Sequence, residues 1–239
     1  MLTWFCPQPT AEKIIIKKLR EVAILEQNGP EAVDGIQSVV SGQFVLAEED
    51  QLRARFYGLF ARLLAAPMSA ETIQIARELD GGEGELGEAI STFAALARRS
   101  TENAAREEFT LLFYGNGSGG ELLPYASHYL TGFLYERPLA DIRRTLSEIG
   151  IAPADGLTEP EDHIAFLCEV MHGLITGEWD ASPDAACQRT FFETHMAPWA
   201  GRFFADLEKA ESAALYMPFG TMGRLFMAIE AEAFIMAGE

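Results

Sequence analysis

Basic residues are scarce in this chain of 239 residues: 18 Lys and Arg face 36 Asp and Glu, for a formal net charge of −18. A field of that sign repels phosphate backbones and anionic headgroups, so nucleic acid and membrane surfaces are poor partners. It keeps a helical protein soluble, and it would attract a basic peptide. Cysteine is scarce too. Cys6, Cys168 and Cys187 lie far apart without a C-x-x-C, which leaves neither a disulfide framework nor the usual zinc knuckles. Cys168 and Cys187 fall in helical apolar patterns and read as buried thiols in a reducing compartment. No apolar run approaches the roughly 18 residues of a membrane span. The opening Met-Leu-Thr-Trp-Phe-Cys-Pro lacks the basic-then-apolar order of a secretory signal. A cytoplasmic location is expected.

Catalytic signatures are missing as well. The chain contains no G-x-S-x-G, no H-E-x-x-H and no phosphate-binding G-K-[ST]. His128, His163, His172 and His195 have no obvious nucleophile near them in sequence. The expectation is a protein that is not an enzyme and carries no resident cofactor.

What is abundant is apolar: 49% of residues are hydrophobic and 16 are Phe, enough for a sizeable core. Residues 1–47 stand apart as an N-terminal extension. Lys13, Lys17, Lys18 and Arg20 nearly balance Glu12, Glu21, Glu26, Glu31 and Asp34 there, so the acidity lies downstream. Ala11 to Gln27 fits a helix with Ile15, Leu19 and Val22 on one face, or Ile14-Ile15-Ile16 starts a short strand.

From Glu48 the helical period is plain. Leu52, Phe56, Leu59, Phe60, Leu63 and Leu64 make one stripe that stops before Pro67. Ser69 suits the cap of a second helix, a third carries Leu86, Ile90, Phe93 and Leu96, and a fourth from Thr101 carries Ala105, Phe109, Leu112 and Phe113. The glycine-rich segment 115–120 breaks the chain. A helix opened by Pro138 ends at Gly150 with Ile151 packing back. Thr158-Glu159-Pro160-Glu161 matches a capping box for a helix through Ile175, and Ser182-Pro183-Asp184 a further cap. Helices around 199–210 and 219–237 complete an all-α domain, 48–239, of about nine or ten helices.

Several clusters invite chemistry. Gly115, Gly117 and Gly120 spell G-x-G-x-x-G, but a dinucleotide loop needs a preceding strand, and 104–114 has helical spacing. Glu169 and His172 form one E-x-x-H, half of what a di-iron bundle requires. A helical metal-binding or enzymatic protein built on that pair is the alternative reading. A second is a structural subunit of a redox complex, with Phe191-Phe192 and Phe203-Phe204 as its interface. The segment Glu159-Pro160-Glu161-Asp162-His163 puts three carboxylates and a histidine at a helix start. Acids there suit the macrodipole, while a histidine, once protonated, does not. Asp162 and His163 facing a cleft could take an arginine and a backbone carbonyl from a bound peptide. Pro124-Tyr125-Ala126-Ser127-His128-Tyr129 adds amphipathic rings suited either to peptide recognition or to an irregular turn packed on the core.

Together these blocks resemble the TorD/DmsD family of redox-enzyme maturation chaperones. The matching stretches are Glu107 to Phe113, Pro124-Tyr125-Ala126-Ser127, Pro138 to Arg143, Gly150-Ile151 and Glu159 to Ala165, with Glu169 and Met171 beyond. Their order and spacing agree across roughly 48–210, and residues 1–47 have no counterpart. The resemblance implies an all-helical fold with an internal hinge, as a monomer or domain-swapped dimer. The implied client is the cofactor-free catalytic subunit of a molybdenum or tungsten pterin oxidoreductase, gripped by its body or its twin-arginine signal peptide. It implies client-binding roles for Asp162 and His163, extended to Tyr125, Ser127, Glu159 and Glu169. The Glu159–Glu169 block is similar to relatives encoded beside formate dehydrogenases.

Overall fold

The computed structural model describes residues 46–115, 119–152, 159–178 and 184–236. The readings made for 1–45 and for Asn116 to Ser118 lie outside the described residues, as do the residues Thr158, Ser182 and Pro183 themselves. Among the described residues the secondary structure is ten α-helices and one π-helical turn, and the sole β feature is an isolated bridge. The all-α expectation holds.

The first stripe becomes α1, Glu48–Ala65, with Glu48, Glu49 and Asp50 in the first turn where the helix dipole favours acids. Extended Ala66 ends it before Pro67. The expected caps form at α2, Ala70–Glu78, where Ser69 Oγ accepts from Thr72 N, and at α4, Glu102–Phe109, where Thr101 Oγ accepts from Ala104 N. Between them lies α3, Gly84–Arg99. The chain runs from α4 directly into a π-helical turn, Thr110–Tyr114, closed by Gly115 at φ +67°. A helix therefore precedes the glycine segment, and the strand a dinucleotide loop needs is not there.

A short helix α5, Ala126–Thr131, forms where the sequence allowed an irregular turn, and α6 follows at Arg137–Glu148. Gly150 at φ +76° reverses the chain after α6, and Ile151 N donates to Leu146 O at 2.8 Å. Then come α7, Ile164–Thr176, α8, Ala185–His195, α9, Ala200–Leu207, and α10, Tyr216–Met236.

Two expected starts are corrected. The capping box at Thr158 does not open α7: the helix begins at Ile164 with His163 as its N-cap. The Glu159–Asp162 segment is a turn ahead of the helix, closed by His163 N donating to Pro160 O at 3.0 Å. Likewise Asp184, rather than Ser182, caps α8, its side chain accepting from Ala186 N.

One aromatic core joins the elements. The α1 rings of Phe56 and Phe60 meet Phe226 and Phe219 of α10, and Phe60 also meets Phe204 of α9. The α9–α10 crossing requires glycine, because a Cβ at Gly223 would sit 2.1 Å from the Phe204 ring. Phe191, Phe192, Phe203 and Phe204 are all buried in this core. They are not the exposed subunit interface that their sequence pattern allowed.

Carboxylates tie the bundle where apolar packing cannot. Glu108 of α4 accepts from the backbone N–H groups of Ala214, Leu215 and Tyr216, satisfying donors at the start of α10. Buried Glu230 of α10 accepts from Arg53 Nε at 2.7 Å, Arg53 Nη2 at 3.0 Å and the Tyr57 hydroxyl at 3.0 Å. Arg53 also donates to Gln188 of α8 at 3.1 Å and lies over the Phe234 ring. Removing one partner strands a largely buried charge. Glu230→Ala is expected to lower unfolding free energy by about 3 kcal/mol in urea denaturation. Glu102→Ala, in the exposed pair with Arg106, should stay within about 0.5 kcal/mol of the parent.

Candidate functional site

The turn before α7 and the turn before α5 are held together as one unit. Ile164 N donates to Pro124 O, and Ala126 N to Asp162 O, both at 2.9 Å, which forms the bridge between Tyr125 and His163. That bridge is what keeps His163 extended and delays the start of α7. The Asp162 side chain completes the joint: its Oδ2 accepts from Ser127 N at 2.9 Å, capping α5 from 35 residues away.

Asp162 is 1% exposed, and its Oδ1 has no hydrogen-bond partner among the described residues. His163 is also buried, with Nδ1 accepting from Ala165 N at 3.1 Å. Nδ1 is therefore unprotonated, and the neutral ring carries its proton on Nε2 as a donor. Burial lowers the imidazole to about 4. The Tyr125 ring stands edge-on to His163 at 5.1 Å, and its hydroxyl donates to Glu159 Oε2. Burial and that carboxylate push the phenol well above its ordinary value. Ser127 is fully buried, and its Oγ accepts from Glu136 N at 3.3 Å.

A narrow cleft of about 40 Å³, enough for a water molecule but not a side chain, opens on this group. Tyr125, Glu159 and His163 line it with Phe109, Phe113 and Tyr114, which come from the end of α4 and the π-helical turn. The acids of this turn are thus committed inward more than the sequence suggested. Asp162 and His163 first serve the joint between α5 and α7, and one carboxylate oxygen and the Nε2 N–H make no hydrogen bond among the described residues.

The structure brings together five of the six predicted residues: Tyr125, Ser127, Glu159, Asp162 and His163. It does not bring in Glu169, which sits half-buried farther along α7 and whose side chain makes no hydrogen bond or ion pair among the described residues. Burial raises its carboxyl above the ordinary value. His172 Nδ1 lies 2.8 Å from the Ala54 carbonyl oxygen, a bond the ring must donate, so this histidine joins α7 to α1. Among the described residues no three His, Cys, Asp or Glu side chains converge as metal ligands. Sequence reasoning missed the pairing of Glu161 with Arg143 of α6, whose Nε lies 3.0 Å from both carboxylate oxygens. No local pattern marks that contact.

A sequence profile described as the nitrate reductase delta subunit matches residues 79–205, which contain all six predicted site residues. The chain belongs to that family. Curated relatives include the TorD chaperones of Vibrio atlanticus, 27% identical over 80% of this chain and 97% of the relative, and of Aliivibrio fischeri, 25% identical with the same coverage. A solved structure of a redox enzyme maturation protein from Archaeoglobus fulgidus is similar at a TM-score of 0.49 and 19% identity, covering 82% of this chain and 98% of its own. The family is the TorD-like one that the ordered blocks resemble. Among the described residues no helix is long and apolar enough to cross a membrane.

The buried imidazole has a measurable consequence. Unfolded, a histidine titrates near 6.5; folded, His163 titrates near 4. Below the first value the unfolded chain binds the extra proton. The stability contribution is therefore complete above about pH 6.5 and lost as pH falls to 4, by about 3 kcal/mol in all. His163→Asn keeps a capping acceptor without the titration. It should flatten stability against pH over that interval in urea denaturation, leaving a residual slope from His195, which burial also lowers.

Proposed function

We propose that this protein is a cytoplasmic maturation chaperone that holds the cofactor-free catalytic subunit of a molybdenum or tungsten pterin oxidoreductase. The 159–163 and 124–127 turns form its client contact. One observation carries this reading: Asp162 is buried with an oxygen that has no partner among the described residues, beside a neutral histidine that can donate. A buried carboxylate oxygen without a donor is costly. A cationic or amide group from a partner would relieve it, and the Nε2 proton can meet a backbone carbonyl.

Membership of the family and the TorD chaperones among the relatives support the client class. The net charge of −18 favours a basic segment, such as a twin-arginine leader, and speeds its arrival. The resemblance of the Glu159–Glu169 block favours a formate dehydrogenase as client. In this reading Glu159 and Tyr125 form the rim that meets the leader, Asp162 and His163 the floor, and Ser127 the support. Residues 1–47 are an appendage to the chaperone domain.

Titration calorimetry of the full chain against the leader peptide of its client should give micromolar binding, about −8 kcal/mol, or tighter. Glu159→Gln should weaken it about tenfold while leaving the melting temperature within a few degrees. Unchanged affinity in Glu159→Gln together with Tyr125→Phe would remove these residues from the contact.

A further inference from the structure

The turn that carries the candidate site already holds one guanidinium. Arg143 of α6 places Nε 3.0 Å from both oxygens of Glu161 and Nη2 2.8 Å from Oε2. The partners differ in burial: the Glu161 side chain is 11% exposed and that of Arg143 is 57% exposed. Both line an open pocket of about 390 Å³, walled by Leu146, Ser147, Gly150 and Ile151. Asp162, whose Oδ1 has no partner among the described residues, is the next residue.

This asymmetry fits an exchangeable cation. An exposed arginine gives up little on returning to water. A buried carboxylate cannot stay unpaired without a large cost, so it releases one cation only to another. We propose that Glu161 is the binding point for a client arginine and that Arg143 is its built-in occupant, displaced when the client docks. The idea rests on the peptide-binding reading above and adds the residue that selects. A neutral segment brings no charge to Glu161 and gains nothing there with or without Arg143, whereas a planar guanidinium reproduces every bond it breaks.

The test uses two synthetic peptides on the full chain, one with two adjacent arginines before an apolar stretch, the other with citrulline in both places. Citrulline keeps the shape and removes the charge. Arg143→Met should bind the arginine peptide about tenfold tighter and leave the citrulline peptide within twofold. Arg144→Met, which removes the same charge one position along α6, should change neither. Equal or weaker arginine-peptide binding in Arg143→Met, or equal tightening in Arg144→Met, overturns the proposal. Should Arg143→Met fail to fold, Glu161→Gln decides: preference for the arginine peptide must collapse, and a retained preference overturns the idea. If the parent binds neither peptide, a gain in Arg143→Met still supports it and no gain overturns it. Parent binding with no gain in Arg143→Met overturns the exchange alone and leaves the client reading standing.

Discussion

The carboxylate of Asp162 is the joint on which the candidate site depends. One oxygen caps a helix of six residues that has no cap of its own, and the backbone on either side bridges to Pro124 and Ala126. So short a helix is marginal in isolation, and a charge-assisted bond from a distant residue fixes both its start and its direction. Because the same turn presents Glu159, Glu161 and His163, the joint also fixes where the acids and the imidazole stand. Oδ2 makes the cap, and Oδ1, without a partner among the described residues, is the oxygen the proposed contact would use.

The arrangement is compatible with the proposed binding role although the turn is largely buried. The acids are engaged by protein groups on this side of the turn, including Glu161, which lines the open pocket beside Arg143. They are held inward by Tyr125, Arg143 and the first residues of α5. Burial opposes ionisation of Glu161, yet the Arg143 hydrogen bonds hold it below the usual carboxylate range. A charged turn held this way by its own hydrogen bonds needs no partner to keep its shape.

Much of the fold was legible because its signals are local. Ser69 and Thr101 cap the helices they precede, and the Gly150-Ile151 stop forms as its sequence suggests. The apolar stripe from 52 to 64 maps onto α1, although Leu52 stays exposed. What the sequence hid is non-local. The start of α7 shifted because Tyr125 draws His163 into a bridge, and α5 went unread because its cap lies 35 residues on. Tyr125, Ser127, Glu159, Asp162 and His163 lie together because the Tyr125–His163 bridge joins their two turns. Glu169 does not join them, because its place on α7 carries it past the turn, and the Arg143–Glu161 pair had no local signature.

The central claim is that the chain recognises an unfinished enzyme through this site. The direct measurement is titration of the purified full chain against its client catalytic subunit in two forms, cofactor-free and cofactor-loaded. The account predicts micromolar or tighter binding to the cofactor-free form, at least tenfold weaker binding to the loaded form, and loss of that preference in Asp162→Asn under conditions where the variant remains folded. Equal affinity for both forms, or a preference unaffected by Asp162→Asn, would contradict it.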